Sequence, residues 1–144
     1  MQFEFTRMTS NKICIERIGE GEYAIGESRV KITDGAYIVY HVIAIGEQTA
    51  EVSAAHGELI KETLSKSNKK VQFLIDLNHC GKNSPQARDC WRTYSLLETT
   101  TKVAIFGMHP VSRMIASFVM GKISKIEHYR FFSTEDEARD WFNE

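Results

Sequence analysis

Apolar residues along the chain alternate between two spacings, and each change of spacing marks a predicted element. From Lys12 to Gly26, KICIERIGEGEYAIG has short apolar runs around glycines, the pattern of one or two edge strands or an extended arm. SRVKI at 28–32 and AYIVYHVIAIG at 36–46 flank Thr33-Asp34-Gly35. Asp-Gly is a tight-turn pair, so a hairpin entering a long central strand is expected. Over residues 50–65 the spacing becomes three and four: Val52, Ala55, His56, Leu59 and Thr63 share one helical face, and Thr49 can cap it. VQFLIDL at 71–77 and VAIFGM at 103–108 are nearly unbroken apolar runs, as in strands covered on both faces, and are read as parallel neighbours.

Between those runs, Ser84 fits an N-cap with Pro85 at the first helical position, where its missing N–H removes no helical bond. Ala87, Cys90, Trp91, Tyr94 and Leu97 then form a stripe. A third helix is predicted for SRMIASFVM at 112–120, a last strand for IEHYRFF at 126–132, and a final helix opened by a Thr134/Glu137 capping box and docked by Ala138, Trp141 and Phe142. The order predicts one α/β domain with a single mixed, mostly parallel sheet, an amino-terminal hairpin and about four crossover or flanking helices. Residues 1–27 are read as an arm or edge strands, and residues 28–144 as the domain proper.

Composition narrows the function classes. With 18 basic and 19 acidic residues and a net charge of −1, the chain offers no broad attraction for nucleic acid or anionic membranes. No run approaches the ~18 apolar residues of a membrane span, and the amino terminus lacks a signal-peptide core, which gives a cytoplasmic reading. Its 3 scattered cysteines, 14, 80 and 90, suit reduced thiols rather than a disulfide framework.

The stretch FLIDLNHCGKNSPQARDCW, residues 73–91, concentrates the candidate chemistry. Ser84 is first a helix cap, worth ~1 kcal/mol, and also a place where a phosphate would meet the unpaired N–H groups of a helix start. Lys82 and Arg88 flank it and could receive an anion; Arg113 stands after a second helix-start signal. Asp76, His79, Cys80 and His109 invite a catalytic or metal reading, because ligands favour the carboxyl edge of parallel strands. No CxxC or HxxxH pair accompanies them, so no metal, cofactor or catalytic residue is assigned. Asp76 is expected to bond backbone N–H groups in the following turn, and His56 to be a satisfied boundary histidine. Glu51, Glu58 and Glu62 look like a solvated face. Met114 and Phe118 belong to a helix with more apolar surface than one buried stripe requires, which leaves open a protein-binding face, a homodimer face or the mouth of an apolar pocket.

Three stretches, FLIDLNHCGKNSPQARDCW, KVAIFGMHPVSRMIASFVMG and RFFSTEDEARDWF, together resemble the small bacterial stage II sporulation protein AA-like or STAS-like group, whose name abbreviates sulfate transporter and anti-sigma-factor antagonist. The resemblance spans roughly residues 71–142. It implies a STAS-type fold and a non-enzymatic role in docking protein partners, in some relatives switched by phosphorylation of a serine at the start of the second helix. Ser84 is the nearest positional match. The chain has Lys82-Asn83-Ser84-Pro85 where anti-sigma-factor antagonists carry an Asp-Ser-Ser-Gly-like motif.

The leading expectation is thus a regulatory protein-binding module with Ser84 as phosphorylation candidate and Lys82, Asn83, Arg88, Arg113, Met114 and Phe118 as contact residues. The alternative is an apolar small-molecule or lipid-binding protein with a pocket between the sheet and the third helix, by fold analogy. An enzyme built on Asp76, His79 and His109 ranks last.

Overall fold

The computed structural model describes residues 13–107 and 128–144. Seven strands form one sheet in chain order: β1 Ile15–Gly19, β2 Glu22–Ile25, β3 Ser28–Asp34, β4 Ile38–Gln48, β5 Val71–Asn83, β6 Thr100–Phe106 and β7 Tyr129–Phe132. Strands β1 to β4 run antiparallel to their neighbours, whereas β4–β5, β5–β6 and β6–β7 are parallel. The sheet is therefore evenly mixed, not mostly parallel. The physical reason is the glycine-punctuated segment before residue 28: tight turns at Gly21 and Gly26, both at positive φ, fold it into two further antiparallel strands. The predicted hairpin is present as β3 and β4, joined by residues 35–37.

Three helices are present among the described residues, α1 Ala50–Ser65, α2 Pro85–Ser95 and α3 Glu135–Phe142, rather than about four. The helix expected at 112–120 lies outside the described residues. Each helix starts where local cap chemistry places it. The Thr49 hydroxyl accepts the Val52 N–H at 3.2 Å. Thr134 accepts the Glu137 N–H at 3.2 Å while the Glu137 carboxylate accepts the Thr134 N–H, also at 3.2 Å, completing the capping box.

Strand alternation divides the core between two faces. Tyr40, Val42, Phe73 and Val103 pack under α1, from which Val52, Ala55 and Leu59 descend, with Trp91 and Tyr94 of α2 beside them. Leu74, Ala104 and Phe106 face the other way, against Ala138 and Trp141 of α3. Lys102 fastens that second layer: its Nζ donates to the Trp141 carbonyl at 2.7 Å and lies 5.0 Å from the centre of the indole ring. Leu97, expected on the α2 stripe, is exposed, because the helix ends at Ser95.

Candidate functional site

Strands β4 and β5 outrun β6. The last β5–β6 pair is Asp76 with Phe106, yet β5 stays paired to β4 as far as Asn83 opposite Gln48. Residues 78–83 are thus strand, not a strand-to-helix turn: polar and glycine residues of low strand propensity are held extended by the partner strand, with two register shifts on the way. The ribbon delivers Ser84 to the rim of the sheet in extended conformation, φ −74° and ψ 158°. Its hydroxyl accepts the Ala87 N–H at 3.0 Å, and Pro85 follows at the first helical position. Its own N–H donates to the Gln48 carbonyl at 3.0 Å. Gln48 directly precedes the α1 cap, so α1 and α2 begin side by side and both present the positive ends of their dipoles at this rim.

Around the half-buried Ser84, Lys82, Asn83 and Arg88 are exposed. Arg88 folds back over the start of its own helix, its Nη1 donating to the Asn83 carbonyl at 3.0 Å. No acidic residue stands in the first turn of α2. Two exposed cationic residues therefore flank a serine hydroxyl and a helix start in the chain, an arrangement suited to an anionic group. Arg113, Met114 and Phe118 lie outside the described residues.

The other candidates take structural parts. Asp76 Oδ1 accepts the backbone N–H and the side-chain amide of Asn78, both at 2.9 Å, the local bonding expected of it, although within the irregular strand rather than in a turn. His79 is exposed. Burial pushes the Cys80 thiol pKa up, against a smaller opposing effect of the Asn83 amide, so the sulfur stays protonated. Among the described residues no group of three or more His, Cys, Asp or Glu side chains could hold a metal ion. His109 lies outside the described residues.

His56 is no boundary residue: it is fully buried, 3.0 Å from the Tyr40 hydroxyl through Nδ1 and packed on Trp91, and burial lowers its pKa to about 3. Glu51 and Glu62 are exposed as expected, whereas Glu58 is half-buried. A cleft of about 210 Å³, lined by Tyr23, Ile32, Ile38, Leu59 and Lys66, opens at the far end of α1 from Ser84. It is not the pocket expected beside the third helix, which lies outside the described residues. Sequence reasoning missed Gln48 and Ser28, both buried at the end of the β4 ribbon. The one available signal was a polar residue immediately before a Thr cap.

A meander of antiparallel strands running into a parallel βαβ series, with a capped serine opening the second helix, defines a STAS-like α/β domain. The SpoIIAA-like family model matches residues 39–143, and the chain belongs to that family. A crystal structure of an uncharacterized protein from Shewanella loihica PV-4, described as having a SpoIIAA-like fold, is similar to this chain with a TM-score of 0.57 at 19% identity. The likeness covers 79% of this chain and 92% of that one, and it concerns the fold alone. A comparison with curated proteins finds no match. Among the described residues no helix is long and apolar enough to cross a membrane.

Proposed function

We propose that the protein is a non-enzymatic, cytoplasmic regulatory module that docks a protein partner on the rim where α1 and α2 begin, and that phosphorylation of Ser84 switches the docking. In this reading residues 28–144 form the module and residues 1–27 are an amino-terminal arm or edge strands. The observation that carries it is the half-buried Ser84 cap at the start of α2, with the exposed residues Lys82 and Arg88 on either side of it in the chain. Membership of the SpoIIAA-like family supports a binding role in preference to catalysis.

The switch has a direct chemical basis. Phosphoryl transfer from a nucleoside triphosphate would form an O–P bond at Ser84 Oγ, pass the hydroxyl proton to the kinase base and release the diphosphate. The product places a charge of about −2 against the α2 start, Lys82 and Arg88, cancelling the positive charge of the spot a partner meets. Peptide mass spectrometry of the chain isolated from its own cells, with and without phosphatase treatment, tests the switch. A phosphatase-sensitive phosphate on Ser84 is expected; a Ser84 that is unmodified across growth conditions overturns it.

A further inference from the structure

Gln48 is 4% exposed although its side chain is polar, and its surroundings account for that. The carboxamide Nε2 donates to the Gly46 carbonyl at 3.0 Å and the Ile45 carbonyl at 3.2 Å. Carbonyls only accept, so the nitrogen end of the amide must face them. Ser28, 1% exposed, closes the other side, its hydroxyl accepting the Ile45 N–H at 3.0 Å. At this point the β4–β5 ribbon is closely packed: a Cβ on Gly81 would stand 3.1 Å from the Gly46 carbonyl carbon, and Gly46 has φ +75°. The carboxamide thus bonds two part-buried backbone carbonyls beside a register shift, one of which, that of Ile45, also accepts from the Ser28 hydroxyl at 3.4 Å.

The same residue holds Ser84. The Gln48 carbonyl accepts the Ser84 N–H at 3.0 Å, the Ser84 hydroxyl accepts from Ala87 at 3.0 Å, and the Ser84 carbonyl accepts the Arg88 N–H at 3.1 Å. All three backbone and side-chain acceptors or donors that shape the junction are engaged at once. An enzyme that binds its target serine in an extended segment has to release them together.

We infer that Gln48 is a positioning residue for Ser84: its buried carboxamide locks the end of β4, which in turn keeps the start of α2 closed and sets how often Ser84 opens to a modifying enzyme. The modifying enzyme rests on the docking reading above; the lock itself does not.

Amide hydrogen exchange on the whole native chain separates the two. Gln48→Met keeps the length and shape of the side chain without its donors, and Gln48→Ala removes both. Each is expected to speed exchange at Ser84, Ala87 and Arg88 at least about tenfold relative to the core amides of Leu74 and Val103. The remote core variant Ile60→Val should change all five amides together. Restoration of wild-type protection by methionine would show that Gln48 acts by packing alone and would overturn the inference. So would equal acceleration of the junction and core amides. Absence of phosphate on Ser84 in cells removes the switch proposed above and leaves these exchange ratios as expected, so the two failures are distinct.

Discussion

The hydroxyl of Tyr94 occupies the space that a side chain on Gly57 would need. A Cβ added at Gly57 would lie 2.2 Å from Tyr94 Oη and 2.9 Å from its ring carbon Cζ, and the tyrosine is pinned there by a 2.8 Å bond to the Ser53 carbonyl. Helix α2 therefore seats on α1 through an aromatic side chain fitted into a glycine notch.

Gly57→Ala should destabilise the fold by up to about 2 kcal/mol. Overpacking costs about 1–3 kcal/mol and the better helix propensity of alanine returns about 1 kcal/mol. Urea unfolding reads the difference. A gain in stability would mean that α2 shifts freely on α1.

Acid should weaken the fold through His56. Burial lowers its pKa to about 3, below the ordinary 6.5, so between these values the unfolded chain binds the proton and the folded one does not. Stability is whole above about pH 6.5 and falls as pH drops toward 3, at a slope approaching ~1 kcal/mol per pH unit. His41, lowered chiefly by burial and raised in part by Glu135, adds to the same acid loss. Replacing both members of the buried pair, Tyr40→Phe with His56→Phe, leaves no orphaned partner and should flatten the slope measured by urea midpoints from pH 4 to 7.5. An unchanged slope would contradict a neutral, buried His56.

At the cap, Ser84→Ala should cost about 1 kcal/mol, whereas Ser84→Asp should cost nothing or add a few tenths, because aspartate caps as well as serine and its charge suits a helix start. Thermal unfolding of the three proteins gives the order Asp at or above Ser, and Ser above Ala. A destabilising Ser84→Asp would mean that the spot repels an anion, and the phosphate argument would fail with it.

These predictions separate what was readable along the chain from what was not. All three helix starts were legible, at Thr49, at Ser84-Pro85 and at the Thr134/Glu137 box, because capping is decided within about four residues. The apolar runs at 71–77 and 103–108 were legible as parallel neighbours for a similar reason: continuous hydrophobicity reports burial on both faces. The extension of β5 through Asn78, Gly81 and Lys82 was hidden, since it depends on pairing with β4 some 35 residues earlier in the chain, between Asn83 and Gln48. The same holds for His56, whose helical spacing showed the correct face but not its depth, which is set by Tyr40, Phe73 and Trp91. The even balance of parallel and antiparallel neighbours was missed because the glycine-rich strands before residue 28 could equally have been a loose arm. For the site, Lys82, Asn83, Ser84 and Arg88 were named from sequence and are gathered by the β5–α2 junction. Gln48 was missed, because only the folded ribbon shows what its carboxamide bonds.

A site-specific photo-crosslinking scan in the native cells tests the docking surface most directly. A photoreactive residue is placed in turn at Lys82, Asn83 and Arg88, and at Glu51 and Glu62 as controls of graded distance, with each position repeated on the Ser84→Asp background. The account predicts one protein adduct from positions 82, 83 and 88, weaker or absent at 62, and changed in yield by Ser84→Asp. Equal crosslinking from every position, or adducts at 82, 83 and 88 indifferent to residue 84, would contradict it.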